Sequence, residues 1–160
     1  MKSKSIDILA STNPAFCSLL LYSFTEGYMH ETNSACPASL LLFPIPLILS
    51  NSIKETMNGT NIKTGLFSWI NNNPSVTISL IEKINDSSEY FNDAYKYAIL
   101  KGILIPNGNT SLAINPNNLN TSYINDKYLK NYFSLSKRLG LWFGQVGSTE
   151  TIFNFLRITI

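Results

Sequence analysis

The chain has 160 residues, is 44% apolar, and carries twelve basic against ten acidic side chains for a formal charge of +2. That length and apolar content support a core of its own and exclude a disordered polymer. The small charge does not by itself imply a nucleic-acid partner, and two cysteines do not make a disulfide scaffold in a chain this long.

Residues 1–12 read as a short strand or arm, with alternation at Ile6 and Ile8. Asp7 and Asn13-Pro14 interrupt the apolar run too early for a signal peptide, so secretion is not expected. Asn13 is placed to cap a helix that opens on Pro14 and runs to about Met29. Phe16, Leu19, Leu20, Tyr22 and Phe24 make that helix apolar nearly all round. The next stretch, "ASLLLFPIPLILS" (38–50), has no charge and two prolines. It is too short for a bilayer span, which needs about 20 apolar residues, so it reads as a kinked helix covered by protein on more than one side. Ser50 is placed to cap a short turn through Met57, and 57–65 is the clearest loop.

"TGLFSWI" (64–70) reads as a short helix. Asn73-Pro74 opens a second, with Ile78, Leu80, Ile81 and Ile84 on one buried side. Asp86-x-x-Glu89 resembles a capping box and starts a third, whose apolar face is Tyr90, Phe91, Ala94, Tyr95, Ala98 and Ile99. Gly102 stands where a terminating glycine belongs, and "ILIPNGNTSLAI" (103–114) reads as a β-hairpin. Three short helices and a hairpin over about 64–115 have the order of a winged-helix unit. The expected fold is therefore α+β and mostly helical, a single domain over 1–160, with helices flanking that unit at both ends. A long helix ends near Leu139, "GLWFGQVGS" (140–148) reads as a turn, and Ser148 caps a last helix.

Catalysis is not expected. His30 is the one histidine and no nucleophile motif accompanies it. His30, Glu31, Cys17 and Cys36 match no common zinc spacing, and Gly140, Gly144 and Gly147 do not form a phosphate loop. Neither a metal nor a cofactor is expected. The third helix carries Glu89 and Asp93 beside Lys96 and Lys101, which counts against sequence-specific reading of DNA and favours protein docking. At about 100° per residue, Lys127, Lys130, Ser134, Lys137 and Arg138 fall on one side of the later helix, opposite Ile124, Tyr128, Tyr132, Leu135 and Leu139. That stripe is either an ordinary solvated face or a contact for phosphate or an acidic partner, with Lys127, Lys130, Lys137 and Arg138 as its cations.

Four segments in order carry a resemblance: "NPAFCSLLLYSFTEGY" (13–28), "PASLLLFPIPLIL" (37–49), "TGLFSWINNNP" (64–74) and "KRLGLWFGQVGSTETIFNFLRI" (137–158). Together they resemble the middle-component family of bacterial three-component ABC-ATPase systems, of which Lamassu antiphage systems are the best-known members. Ile45-Pro46 stands where a Leu-Pro is expected, with Pro44 extra. The resemblance implies a non-catalytic, cytoplasmic scaffold subunit, without membrane attachment. It would bridge an SMC-like or Rad50-like ABC ATPase and an effector, often a nuclease, with non-specific DNA contact through the basic stripe. No catalytic residue carries over. The motif residues are Trp69, Arg138, Leu139, Gly140, Trp142 and Phe143, of which Trp69, Arg138, Trp142 and Phe143 are the candidates for a partner interface. The competing readings are a free-standing winged-helix DNA-binding regulator and, more weakly, a membrane-associated protein.

Overall fold

The computed structural model describes residues 13–119 and 121–159, so the arm expected over 1–12 lies outside the described residues. Helix α1, Pro14–Thr32, runs through the core. The Asn13 side chain accepts from the amides of Ala15 (2.9 Å) and Phe16 (3.2 Å), answering two of the first-turn donors that a helix cannot satisfy itself. Proline at the first position has no amide to lose. Residues around the whole circumference, among them Phe16, Leu20, Leu21, Phe24 and Tyr28, are buried. Such a helix has no solvent face and must be surrounded.

The uncharged stretch supplies part of that surround. It is not one kinked helix. It is a two-residue strand, β1 (Cys36–Pro37), a 3-10 helix over Ala38–Leu42, and helix α2 (Pro44–Leu49). Pro44 and Pro46 fall in the first turn of α2, where amides have no intrahelical acceptor, so neither proline removes a helical hydrogen bond. Phe43, at the joint, is fully buried, with its ring 5.3 Å from that of Phe143 and 5.4 Å from that of Phe153. The chain's own C-terminal half therefore covers the segment.

Short helices follow: α3 (Asn51–Thr56), α4 (Leu66–Asn72), α5 (Ser75–Ile78), α6 (Leu80–Asp86) and α7 (Ser88–Leu100). The helix expected after Asn73 is broken at Ser79 into α5 and α6. Val76 and Leu80 are its buried residues, while Ile78 is 82% and Ile81 52% exposed, against the expected burial of both. The capping box does not form, because Asp86 is still the last residue of α6 and α7 opens without a side-chain cap. Helix α7 does end as its glycine suggests. Gly102 (φ 65°) donates to the Ile99 carbonyl and Ile103 to the Ala98 carbonyl, the paired bonds of a Schellman stop.

Strands β2 (Leu104–Asn107) and β3 (Ser111–Ile114) form the expected hairpin. β1 adds to the far side of β3, with Cys36 opposite Leu112, giving an antiparallel sheet ordered β1-β3-β2. The hairpin unit thus draws its third strand from outside 64–115. A 3-10 turn (Pro116–Asn118) and a short helix, α8 (Thr121–Ile124), lead to α9 (Lys130–Val146), and α10 (Thr149–Phe155) closes the chain. The fold is α+β and mostly helical. Ser148 caps α10 as expected, accepting from the Thr151 amide at 3.2 Å.

The largest departure from expectation is α9. It does not stop at Leu139: "GLWFGQV" is helical through Val146. Gly140 and Gly144 are there because α9 crosses α1 at very close range. A Cβ on Gly140 would collide with the Phe24 carbonyl and crowd the Tyr28 amide. A Cβ on Gly27, from the other side, would collide with the Lys137 carbonyl. Inside this contact the Ser136 hydroxyl donates to the Leu20 carbonyl at 2.7 Å. A buried hydroxyl left without a partner costs about 1–3 kcal/mol, so this bond also fixes how the two helices sit.

Candidate functional site

Helix α9 presents three faces, and the residues of "KRLGLWFGQ" divide among them. Gly140 and Gly144 meet α1. Leu139 and Phe143 enter the core, where the Phe143 ring lies 5.2 Å from that of Phe24. Arg138, Trp142 and Gln145, spaced i, i+4 and i+7, fall within about 60° of one another on the third face. All three donate to the loop 57–65. Arg138 Nη1 reaches Thr60 Oγ1 (3.1 Å), Trp142 Nε1 the Asn61 carbonyl (3.1 Å), and Gln145 Nε2 the Ile62 carbonyl (3.3 Å).

Trp69, on α4, completes this clamp. Its ring lies 5.5 Å from that of Trp142, and its Nε1 donates to Thr56 Oγ1 at 2.9 Å. Trp69, Trp142 and Phe143 are at most 1% exposed, so in this fold all three pack internally. Arg138 is half-buried over the loop. The four candidate interface residues do lie together, but three have no surface to offer. They hold up a loop that does.

That loop is also braced from within. Asn61 Oδ1 accepts from the Lys63 amide (2.8 Å), Thr64 Oγ1 from the Asn61 amide (3.0 Å), and the Met57 carbonyl from Thr60 Oγ1 (2.7 Å). Its outer side shows Asn58, Gly59, Ile62 and Lys63, with Ile62 51% exposed. Phe67, on the neighbouring α4 and also exposed, stacks edgewise on Phe155 at 4.4 Å. The sequence identified 57–65 as a loop, but not as one held in place. The clamp spacing becomes visible only once α9 is known to continue through its glycines.

The basic stripe is less uniform than its spacing suggests. Lys127 is not on α9. It lies in the turn where Asp126 Oδ1 accepts from the amides of Tyr128 (2.8 Å) and Leu129 (3.2 Å), and Tyr128 is exposed. Lys137 pairs with Glu26 of α1 at 3.4 Å. Arg138 turns to Thr60. Lys130 stands exposed on the first turn of α9. Tyr22, buried beside Glu26, has its hydroxyl pKa raised by desolvation and then by the Glu26 carboxylate.

Both cysteines are buried thiols without a disulfide, and desolvation pushes Cys17 up to about 12 and raises Cys36 as well. His30 is exposed at the end of α1. Among the described residues no three His, Cys, Asp or Glu side chains are grouped to hold a metal ion, and no helix is long and apolar enough to cross a membrane.

The protein is mostly helical and α+β, and α9 both packs against α1 and clamps one surface loop. The chain belongs to the family described as ABC-three component (ABC-3C) system Middle Component 3, whose model matches residues 2–160. No curated protein and no solved structure matches it.

Proposed function

We propose that this chain is the non-catalytic scaffold of its three-component system, joining an SMC-like or Rad50-like ABC ATPase to an effector nuclease in cytoplasmic, Lamassu-type antiphage defence. Membership in a middle-component family supports the reading. The observation that carries it is the clamped loop 57–65. Trp142 and Gln145 hold its backbone and Arg138 its Thr60 side chain, while Ile62 and Lys63 face outward. A docking element fixed in advance loses less entropy on binding than a mobile one. We further read the helices α4 to α7 and the β2-β3 hairpin, about residues 64–115, as a winged-helix-like unit within a single domain, serving protein docking. The exposed Glu89 and Asp93 of α7 would repel phosphate.

The test is co-expression of this chain, tagged, with the other two components, followed by affinity purification and sizing. A stable complex is expected, weakened at least tenfold by Ile62→Asp with Lys63→Glu and unaffected by Ile78→Asp. A monodisperse chain that elutes without its companions would overturn the scaffold reading and shift attention to DNA. The clean DNA test is then Lys127→Glu with Lys130→Glu. Arg138 is unsuitable, because changing it also releases Thr60.

A further inference from the structure

The loop 57–65 contains the pair Asn58-Gly59, and the β2-β3 hairpin turns on a second such pair, Asn107-Gly108; all four residues are exposed. Both glycines have positive φ, 76° and 71°, which L side chains rarely adopt, and a Cβ on either would stand in open space. Backbone geometry therefore keeps glycine after asparagine in both turns. Such a pair holds an electrophile and a nucleophile in one dipeptide. With no Cβ to crowd it, the glycine nitrogen can attack Cγ of the asparagine side chain as base takes its amide proton. A C–N bond forms, the side-chain nitrogen leaves as ammonia, and a five-membered succinimide results. Water then opens the ring at either carbonyl to give aspartate or isoaspartate. The sum is hydrolysis of one amide by one water.

Ring closure requires the Asn58 backbone to rotate until the Gly59 nitrogen meets Cγ, and that rotation is tied on both sides. The Asn58 amide donates to the Glu55 carbonyl (3.1 Å), and the Thr60 amide donates to the Met57 carbonyl (3.2 Å), closing a turn over Asn58-Gly59. Thr60 Oγ1 donates to the same Met57 carbonyl (2.7 Å) and accepts from Arg138 Nη1 (3.1 Å). The turn at Asn107-Gly108 is closed by strand pairing instead, with Asn107 opposite Ser111. The two pairs share one chemistry and differ in what restrains them.

We propose that Asn58-Gly59 is a self-modification site on the clamped loop, and that the Arg138–Thr60 contact sets the rate at which it converts to aspartate or isoaspartate. The chemistry needs no partner and stands apart from the scaffold reading, but its product lies on the surface which that reading uses. Lys63 is the one charged side chain of 57–65, so conversion takes the loop from one positive charge to none. Isoaspartate also adds a carbon to the main chain ahead of Gly59, which displaces Thr60 from Arg138.

The experiment incubates the purified chain at mildly alkaline pH and follows both Asn-Gly pairs over time by peptide mapping, with isoaspartyl methyltransferase labelling to detect the rearranged product. The same chain in urea gives the unrestrained rate. Conversion at Asn58 is expected in the folded chain, slower than in urea. Arg138→Gln should speed it about fivefold, the effect of one lost hydrogen bond on the open population, and leave Asn107 unchanged. Gln145→Ala, which releases the Ile62 carbonyl further along the loop, should speed Asn58 in the same direction. Asn107 serves as the internal control, because a variant that loosens the whole fold accelerates both sites. No conversion at Asn58 in the folded chain or in either variant overturns the proposal. So does a folded rate equal to that in urea, or an Arg138→Gln effect that is absent at Asn58 or equal at Asn58 and Asn107.

Discussion

Replacing Gly140 by alanine discriminates sharply between two views of "GLWFGQVGS". On an exposed helix, Gly→Ala stabilises by about 1 kcal/mol, because alanine loses less backbone entropy. At Gly140 the new methyl would overlap the Phe24 carbonyl and crowd the Tyr28 amide, and both are backbone atoms that cannot rotate away. The helices must part. Overpacking of this kind costs about 1–3 kcal/mol, and loss of the Ser136–Leu20 hydrogen bond adds about 1 kcal/mol. Set against alanine's helical advantage, the net destabilisation is about 2 kcal/mol. For a chain of this size that is a fall in Tm of roughly 4–8 °C. The assay is urea unfolding followed by circular dichroism, with Gly144→Ala as the companion variant. Its Cβ would meet Glu31 Cβ at 2.8 Å, an atom fixed by the α1 backbone, and the Tyr28 carbonyl at 3.2 Å, so Gly144→Ala should destabilise too, but by less than Gly140→Ala, whose overlap is deeper. A Gly140→Ala protein as stable as the parent, or more so, would refute the close crossing and the argument built on it.

Trp142→Phe keeps an aromatic ring in the core but removes the donor to Asn61. Amide exchange should accelerate over 60–64 with little change elsewhere, and global stability should fall by about 1 kcal/mol. The buried thiols predict an alkaline weakness. Their folded pKa values lie above the unfolded 9.0, so the unfolded state releases protons first, and stability is full below pH 9 and falls as pH rises above it. Each thiol contributes a slope of about 1.4 kcal/mol per pH unit, which ends for Cys17 near pH 12. Cys17→Ala with Cys36→Ala should flatten unfolding midpoints between pH 9 and 10.5. Lys137→Gln should change stability by less than about 1 kcal/mol, since its ion pair with Glu26 is solvent-exposed, and thermal melts at low and high salt would check it.

What could be read from the sequence, and what could not, follows the range of the interactions. Asn13 capping α1, Gly102 ending α7, Ser148 capping α10 and the β2-β3 hairpin are each decided within a few residues, and each appears as expected. The readings that failed depend on residues far away in the chain. Glycines at 140 and 144 look like breakers until α1 is laid against them, because a close crossing needs absent side chains and leaves no local mark. Ile78 and Ile81 look buried because their spacing is apolar, yet the break at Ser79 turns them outward. The two-residue β1 is too short to carry a pattern, and it exists because β3 has an edge to pair.

The same distinction bears on how the "Arg-Leu-Gly-x-Trp-Phe" signature should be used. Large aromatics and arginine are favoured at interfaces, which makes Trp69, Arg138, Trp142 and Phe143 attractive interface candidates. But interfaces and cores call on the same residues. The signature's spacing is better accounted for by three simultaneous internal tasks: i, i+4 glycines against α1, i, i+4 apolar groups into the core, and an i, i+4, i+7 clamp on a loop. Each task restrains a different face, so little of the helix from 138 to 145 is left free to vary. A signature saturated by packing identifies the fold and carries little about the partner. Partner specificity should therefore be sought where these constraints end, at Ile62 and Lys63 on the clamped loop. Substitutions there should alter assembly while leaving the unfolding midpoint in place, whereas substitutions in the signature should lower the midpoint first and assembly only as a consequence.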